Sequence, residues 1–269
     1  MTVYRVEMPS PVVSGDPHND TIYGFDHVPW LGAEAAAIVL PIAAGRDLVL
    51  ERSFATWLAL RGIRAFVMPL PYQHERGAGA RRDVLRREGG LEDLLAFFRQ
   101  AVLDTERVRQ WLVQAQGGAG GAGGAGRHLA RQPGGGARLR PRSGLRRGGA
   151  AARRGRSGPR VIWHGSRETR RLKERLLEAG HDLASVRAAL RPVDPLSWAR
   201  PERGRGLLML NATRDEVFPR RSTERLLAAW GPEARIVWFP GDHYSVALFL
   251  PVALEQVASH LRAQLLERR

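Results

Sequence analysis

Two residues that can exchange protons, Asp215 and His243, each follow a predicted buried strand. Asp215 comes at the end of the apolar run in "GRGLLMLNATRDEVFP", and His243 lies in the loop that follows "ARIVWFP". In open α/β sheets, ligands and reacting groups gather at the carboxyl ends of the strands. The two residues therefore form a candidate catalytic pair. Taken singly, His243 could be an ordinary loop residue and Asp215 a surface carboxylate beside Arg214 and Arg220.

The elements that would hold this pair alternate between strands and helices. The run from Ala36 to Pro41 and the stretch "IRAFVMPLP" are apolar on both faces, which is typical of strands buried between two helical layers. A helix ending at Gly62 separates them, and residues 91–114 repeat apolar side chains at helical spacing. Later, "STERLLAAWG" predicts a helix capped by Ser222, and "PVALEQVASHLRAQLLERR" predicts a closing helix. This alternation predicts an α/β fold with a mostly parallel sheet and helices on both faces.

The two strand-and-loop segments resemble those of a known superfamily. "LLMLNATRDEVFP" resembles the acid-bearing strand and turn of the α/β-hydrolases, and "VWFPGDHYS" resembles their histidine loop. The resemblance covers most of the chain outside residues 117–160. It implies a serine esterase-like protein with a single domain over residues 1–269. The two or three short amphipathic helices predicted within 167–203 would then form a small lid.

The resemblance also implies roles for individual residues. His243 would be the general base, and Asp215 would fix its tautomer and stabilise the imidazolium. Asp242 is the weaker candidate for the acid, because neighbouring side chains on an extended loop point apart. The backbone amides of Ile42 and Ala43 are the candidate oxyanion donors. The implied substrate is a small carboxylic ester or related acyl compound, with no cofactor and no metal.

Two further stretches contain a histidine near a predicted strand. His74, in "PYQHERG", follows the second strand and could line a pocket, although a solvated loop histidine is the more ordinary role. The sequence "WHGS" at 163–166 resembles an oxyanion loop, but it comes too late in the chain. It is better explained as the end of a short strand that enters the lid.

The nucleophile of such a site is missing from the sequence. The superfamily carries it in a Gly-x-Ser-x-Gly elbow between a strand and a helix, and no such pattern occurs in this chain. The elbow should fall within "QAQGGAGGAGGAGRHLARQPGGGARLRPRSG", which has no acid, aromatic or β-branched residue. Ser143 and Ser157 lie among arginines and glycines, without a strand before them or an apolar helix after them. Together with Ser166, they are the first serines to examine if the chain is active.

Two explanations of the Gly/Arg-rich segment 117–160 stay open. It could be a genuine linker or insertion, predicted to be disordered because it can bury little apolar surface. A shifted reading frame would instead explain the missing acids, the missing aromatic residues and the missing elbow together. Read one nucleotide later, codons 127–133 permit Gly-Ile-Ser-Leu-Gly-Ser. The serine arises only if the codon of Leu129 is CTC and is followed by G.

The charge of the chain is concentrated in the same segment. The formal net charge is +15, yet residues 117–160 hold eleven arginines and no acid, which leaves 31 basic against 27 acidic residues elsewhere. A basic Gly/Arg segment could bind nucleic acid non-specifically through its charge, and this is the alternative function. The segment has no aromatic side chain on which bases could stack, so we expect no specific nucleic-acid binding.

Composition excludes some chemistry and bears on location. The chain has no cysteine, which excludes disulfides, thiolate metal sites and a cysteine nucleophile. The start, "MTVYRVEMPS", lacks the pattern of a signal peptide, and the most apolar stretch is too short and interrupted to span a bilayer. The expectation is a cytoplasmic protein without a membrane partner. The sequence leaves the oligomeric state open.

Overall fold

The first sheet of the computed structural model combines an antiparallel hairpin with a βαβ unit. Strands β1 (Thr2–Pro9) and β2 (Thr21–Val28) form the hairpin, and β3 (Ala35–Val39), helix α1 (Val49–Ala59) and β4 (Ile63–Val67) follow it. The strand order is β1-β2-β4-β3, with β2 antiparallel and β3 parallel to β4. The structure describes residues 1–33, 35–41, 47–77, 90–117, 167–199 and 206–265.

The βαβ unit agrees with the predicted strand–helix–strand alternation. Helix α1 packs Ala55 and Leu58 against Ile63 and Val67 of β4 in one fully buried core. The chain then leaves the helix through Gly62, whose positive φ of 79° is a conformation that favours glycine. The hairpin has no counterpart in the sequence prediction. Six of the eight residues of β1 are exposed, so this strand lacks the apolar pattern by which a buried strand is recognised.

The second sheet of the described residues has two parallel strands. Strands β5 (Leu207–Ala212) and β6 (Ala234–Phe239) pair directly, and helix α6 (Arg220–Trp230) connects them. Helix α6 begins two residues before the predicted cap. Ser222 lies inside its first turn, where its backbone N–H bonds to the carbonyl of Pro219, so the predicted serine cap is wrong.

The closing helix α7 (Leu250–Leu265) contacts both sheets. Its Ala258 is buried in the core formed by α1 and β4. At its carboxyl end, the Gln264 side chain accepts a hydrogen bond of 3.2 Å from the backbone N–H of Gly206, just before β5. Packing of one amphipathic helix on two sheets thus fixes where the β5–β6 pair lies relative to the first sheet.

Four further helices lie outside the two sheets, and the first three of them pack together. They are α2 (Leu91–Gly117), α3 (Arg167–Glu178), α4 (Leu183–Leu190) and the short α5 (Pro195–Trp198). Helices α3 to α5 fall within the predicted helical segment 167–203, and their role as a lid stays a prediction. None of the helices in the described ranges is long and apolar enough to cross a membrane.

One apolar cluster holds α2, α3 and α4 to the loop that follows β4, and we call it the α3–α4 cluster. Its members are buried side chains from that loop, from the start of α2, and from the facing sides of α3 and α4. They are Tyr72, Leu91, Leu94, Leu172, Leu176, Val186 and Leu190. The loop at the carboxyl end of β4 therefore packs directly against the helical segment.

A buried polar network fixes the same loop from its other side. Arg76 and Asp104 have fully buried side chains and form an ion pair with an N–O distance of 2.7 Å. Arg76 also donates to the backbone carbonyl of Asn19, whose side-chain oxygen accepts the N–H of Tyr72 at 2.9 Å. The Asn19 amide in turn donates to Gln100 at 2.9 Å. Such a pair is costly to break, because either charge alone would be left buried.

A buried histidine in β2 should make the stability of the fold depend on pH. His27 is 1% exposed, its Nδ1 lies 3.3 Å from the Thr56 hydroxyl, and its Nε2 has no partner. Burial, and then the charge of Arg52, lower the pKa of His27, and Asp26 opposes them. A histidine whose folded-state pKa is lowered binds a proton more weakly in the native than in the unfolded protein. Stability is therefore lost as pH falls below the unfolded value of about 6.5.

We predict that the free energy of unfolding falls by up to about 1.4 kcal/mol per pH unit below pH 6.5 because of His27. Urea unfolding between pH 5 and pH 8 measures this slope. The His27→Gln variant should have a shallower slope over this range, whereas His18→Gln, at an exposed position, should keep the wild-type slope. Equal slopes for His27→Gln and the wild type would contradict the prediction.

Candidate active site

The parallel pairing of β5 and β6 brings two loops together at one edge of the sheet. The strands pair from Leu207 opposite Ala234 to Ala212 opposite Phe239. Hydrogen bonds continue the pairing beyond the strands, from the N–H of Thr213 to the carbonyl of Phe239 at 2.8 Å. The next joins the N–H of Arg214 to the carbonyl of Gly241, also at 2.8 Å. Asp215 and His243 follow these bonded residues in the two loops. They therefore lie at the same edge of the sheet.

The carboxylate of Asp215 is held in one orientation by its own loop. One oxygen, Oδ1, accepts the backbone N–H groups of Val217 at 2.8 Å and Phe218 at 2.7 Å. The other oxygen, Oδ2, lies 3.1 Å from Nδ1 of His243. The side chain is only 5% exposed. Two fixed donors on one oxygen leave the second oxygen aimed at the imidazole.

The imidazole of His243 is fixed on one side and open on the other. A carboxylate can only accept, so Nδ1 carries the hydrogen of the 3.1 Å bond and Nε2 is left as the acceptor. The side chain is 33% exposed. Aromatic rings of Phe218 and Tyr244 lie beside it, with centroid distances of 5.8 and 5.3 Å. The imidazole is therefore partly accessible to solvent at the edge of the sheet.

The carboxylate of Asp242 bonds within its own loop, whereas that of Asp215 also bonds to His243. Its Oδ1 accepts the backbone N–H groups of Tyr244 at 3.1 Å and Ser245 at 2.9 Å, and its own N–H donates to the Ser245 hydroxyl at 2.6 Å. The hydrogen bond from the Ser245 N–H is the largest cause that lowers the pKa of Asp242. This carboxylate begins the helical turn after His243, and Asp215 is the acid that contacts the imidazole.

The loop that carries His243 needs a glycine before it. Gly241 has a φ of 119°, a backbone conformation that residues other than glycine rarely adopt. A Cβ at this position would also collide with the side chain of Ser245. The "GDHYS" sequence therefore encodes a tight turn with a definite shape.

His74 is half-buried in the structure, and its role as a pocket residue or a solvated loop residue stays a prediction. Its Nε2 is buried and has no hydrogen-bond partner, and its φ is 48°. Tyr72, two residues earlier, also has a positive φ of 60°. Positive φ in residues other than glycine costs about 1 to 3 kcal/mol each and persists only where the surroundings impose it. Tyr72 is held by the α3–α4 cluster and by the bond of its N–H to Asn19, and the buried Arg76–Asp104 pair fixes the loop two residues after His74.

The remaining predicted site residues lie outside the described residues. These are the oxyanion candidates Ile42 and Ala43 and the three serines, Ser143, Ser157 and Ser166. Their roles stay predictions, as does the reading-frame explanation of 117–160. Within the described ranges, no group of three or more histidine or acidic residues is arranged to hold a metal ion.

Comparisons with known proteins identify the fold. No protein-family model matches this sequence, and no curated protein matches it. The structure is similar to that of a cold-adapted esterase from an Arctic intertidal metagenomic library, with a TM-score of 0.50 and 12% identity, over 98% of this chain and 93% of that one. It is also similar to the thermophilic esterase Est2 of the planctomycete Thermogutta terrifontis, with a TM-score of 0.50 and 14% identity, over 93% and 89% of the two chains. The chain has an α/β-hydrolase-like fold.

The geometry predicts how the tautomer of His243 responds to a change of its partner. Asp215→Asn keeps an oxygen for the amides of Val217 and Phe218, so we expect the stability to change by less than about 1 kcal/mol. The amide nitrogen would then donate to Nδ1 and move the imidazole hydrogen to Nε2. The ¹⁵N resonances of the His243 ring report this tautomer directly. Asp242→Asn is the matched control and should leave the hydrogen on Nδ1. An Nδ1–H tautomer retained in Asp215→Asn would contradict the assignment.

Proposed function

We propose that Asp215 and His243 are the acid and the general base of a serine hydrolase. The observation that carries the proposal is the 3.1 Å hydrogen bond between them, formed at the carboxyl ends of adjacent parallel strands. The α/β-hydrolase-like fold supports it. The similar structures are those of esterases, so we infer a small carboxylic ester or related acyl compound as the substrate.

The pair would act by moving one proton twice. Nε2 of His243 takes the proton of a serine hydroxyl as its oxygen attacks the ester carbonyl, and it then gives that proton to the departing alcohol. Asp215 keeps Nδ1 protonated and stabilises the positive charge that the imidazole carries between the two transfers. Water repeats the sequence on the acyl-enzyme, which releases the acid and restores the serine.

The chain as written lacks the serine elbow that this reaction needs. The elbow would supply the nucleophile and also one oxyanion donor, the backbone amide that follows the serine. The other donor would come from Ile42 or Ala43. We therefore propose that the chain has a complete acid–base pair and no hydroxyl for it to activate, so that it is nearly inactive. If the reading-frame explanation of 117–160 holds, the shifted frame of the gene encodes an active enzyme.

Hydrolysis of a p-nitrophenyl ester tests the proposal. We expect the chain as written to give a rate close to background, because both nucleophile and oxyanion donor are missing. The chain restored to the shifted frame should exceed it by at least about 1,000-fold. Within the restored chain, His243→Ala should remove most of that gain, since the two residues act as a unit.

His18→Ala, which removes an exposed histidine from the connection between β1 and β2, is the matched control and should keep the rate of the restored chain. Thermal unfolding of both variants shows whether any loss of rate in His243→Ala comes from a loss of folding. Robust hydrolysis by the unrestored chain, abolished by His243→Ala, would mean that another serine is the nucleophile. Equal rates for the restored chain and its His243→Ala variant would overturn the assigned base.

A further inference from the structure

Strand β1 forms one edge of the first sheet and lies open to solvent. Within the part of the chain that the structure describes, its sheet neighbour is β2 alone, with which it pairs from Thr2 opposite Val28 to Pro9 opposite Thr21. Six of its eight residues are exposed, so nothing covers the other edge. A long open edge carries a row of backbone N–H and C=O groups that can pair with a further strand.

The pairing with β2 determines which backbone groups of β1 point outward. The N–H of Ser10 donates to the carbonyl of Asp20, directly opposite it, at 2.8 Å. Because this direction alternates along a strand, the even-numbered residues of β1 bond to β2 and the odd-numbered ones point their groups outward. Pro9, which has no N–H, is among the outward residues, where proline is tolerated. The outward residues are Val3, Arg5, Glu7 and Pro9.

The charges on this open edge are complementary to a second copy of the same edge. The side chains of Arg5 and Glu7 lie on one face of β1, with an N–O distance of 3.0 Å, and each is half-exposed. If two copies of β1 pair antiparallel about Val6, Arg5 of each copy lies opposite Glu7 of the other. Both residues point outward, so the two also exchange their backbone hydrogen bonds.

Other registers of the same two strands are less favourable. Pairing about Arg5 or about Glu7 would place like charges directly opposite each other, which is destabilising. Pairing about Tyr4 or about Met8 would leave one of the two charges beyond the end of the paired strands. The side chain of Arg5 is also held on its face by Glu75, at an N–O distance of 2.8 Å. The charge pattern of β1 therefore selects one register.

We propose that the chain forms a symmetric dimer in which β1 pairs antiparallel with β1 of a second copy, centred on Val6. The two four-stranded sheets then join into one continuous sheet. Tyr4 lies opposite Met8 of the second copy, and the two Val6 residues face each other at the two-fold axis. Such a contact uses the same edge on both copies, so the assembly closes at two. The dimer is independent of the proposed hydrolase function, since β1 contains no part of the Asp215–His243 pair.

A single cysteine at the proposed axis tests the register, because the chain has no cysteine of its own. The two Val6 residues would form a pair without backbone hydrogen bonds between them, with Cα atoms about 4.5 Å apart, which a disulfide can bridge. Val6 is only partly buried against the core, so the substitution is mild. We expect Val6→Cys to form a covalent dimer on oxidation with copper phenanthroline, measured on a non-reducing gel.

Tyr4→Cys is the matched control, since Tyr4 is the more exposed position, at 43%. The two copies of residue 4 would lie about 13 Å apart along the strands, too far for a disulfide. We therefore expect Tyr4→Cys to cross-link at least about 10-fold more slowly than Val6→Cys. Collisions between monomers would give the opposite order, with the more exposed cysteine reacting faster.

Reversal of the charges tests the same register without cross-linking. Sedimentation of the full chain at about 1 to 100 μM should show a dimer that dissociates on dilution. Arg5→Glu and Glu7→Arg each place like charges opposite each other and should raise the dissociation constant about 10-fold or more. The double variant restores opposite charges and should recover most of the loss. Arg170→Glu makes the same change of net charge as Arg5→Glu at an exposed position of α3 and should dimerise as the wild type does.

The proposal is overturned if the chain stays monomeric throughout this range, or if Tyr4→Cys cross-links as fast as Val6→Cys. It is also overturned if the single charge reversals leave the dimer unchanged, or if the double variant dimerises no better than they do. Thermal unfolding of each variant distinguishes loss of the dimer from loss of folding. Should Arg5→Glu not fold, Glu7→Arg and the two cysteine variants decide the same question.

Discussion

The register of β5 against β6 is the constraint on which the candidate active site depends. Asp215 and His243 lie 28 positions apart in the chain. They meet because Ala212 pairs with Phe239 and two further hydrogen bonds carry that pairing into the loops. A slip of one residue would displace one side chain by about 3.3 Å along the strand. A hydrogen bond of 3.1 Å would not survive such a shift.

The hydrogen-bonded pair of Asp215 and His243 is built locally, which explains how it can form in a chain without a serine elbow. Asp215 is oriented by amides of its own loop, and the loop of His243 is shaped by Gly241 and by the bonds between Asp242 and Ser245. None of these contacts involves residues 118–166. Helix α7 then ties the β5–β6 pair to the first sheet through Ala258. The geometry of Asp215 and His243 thus does not depend on the segment in which the elbow was expected.

The sequence predicts the parts of the fold whose pattern is strong and local. The strand pairs β3–β4 and β5–β6 have apolar runs that end in loops, and their order predicts which acid would meet His243. The hairpin β1–β2 is missed, because most of β1 is exposed and has no apolar run. The unusual loop conformation around His74 is missed for another reason. The loop is tied to the distant residues Asn19 and Asp104 through Tyr72 and Arg76, and these long-range contacts have no signature near His74 in the chain.

The central claim is that Asp215 and His243 form a base with no hydroxyl to activate. A fluorophosphonate probe measures this most directly, since it reacts covalently with a serine only when a neighbouring base activates it. The account predicts no labelling of the chain as written, and labelling of the frame-restored chain that is lost in its His243→Ala variant. Labelling of the chain as written that is lost on His243→Ala would contradict the account, because a serine would then already be within reach of this base.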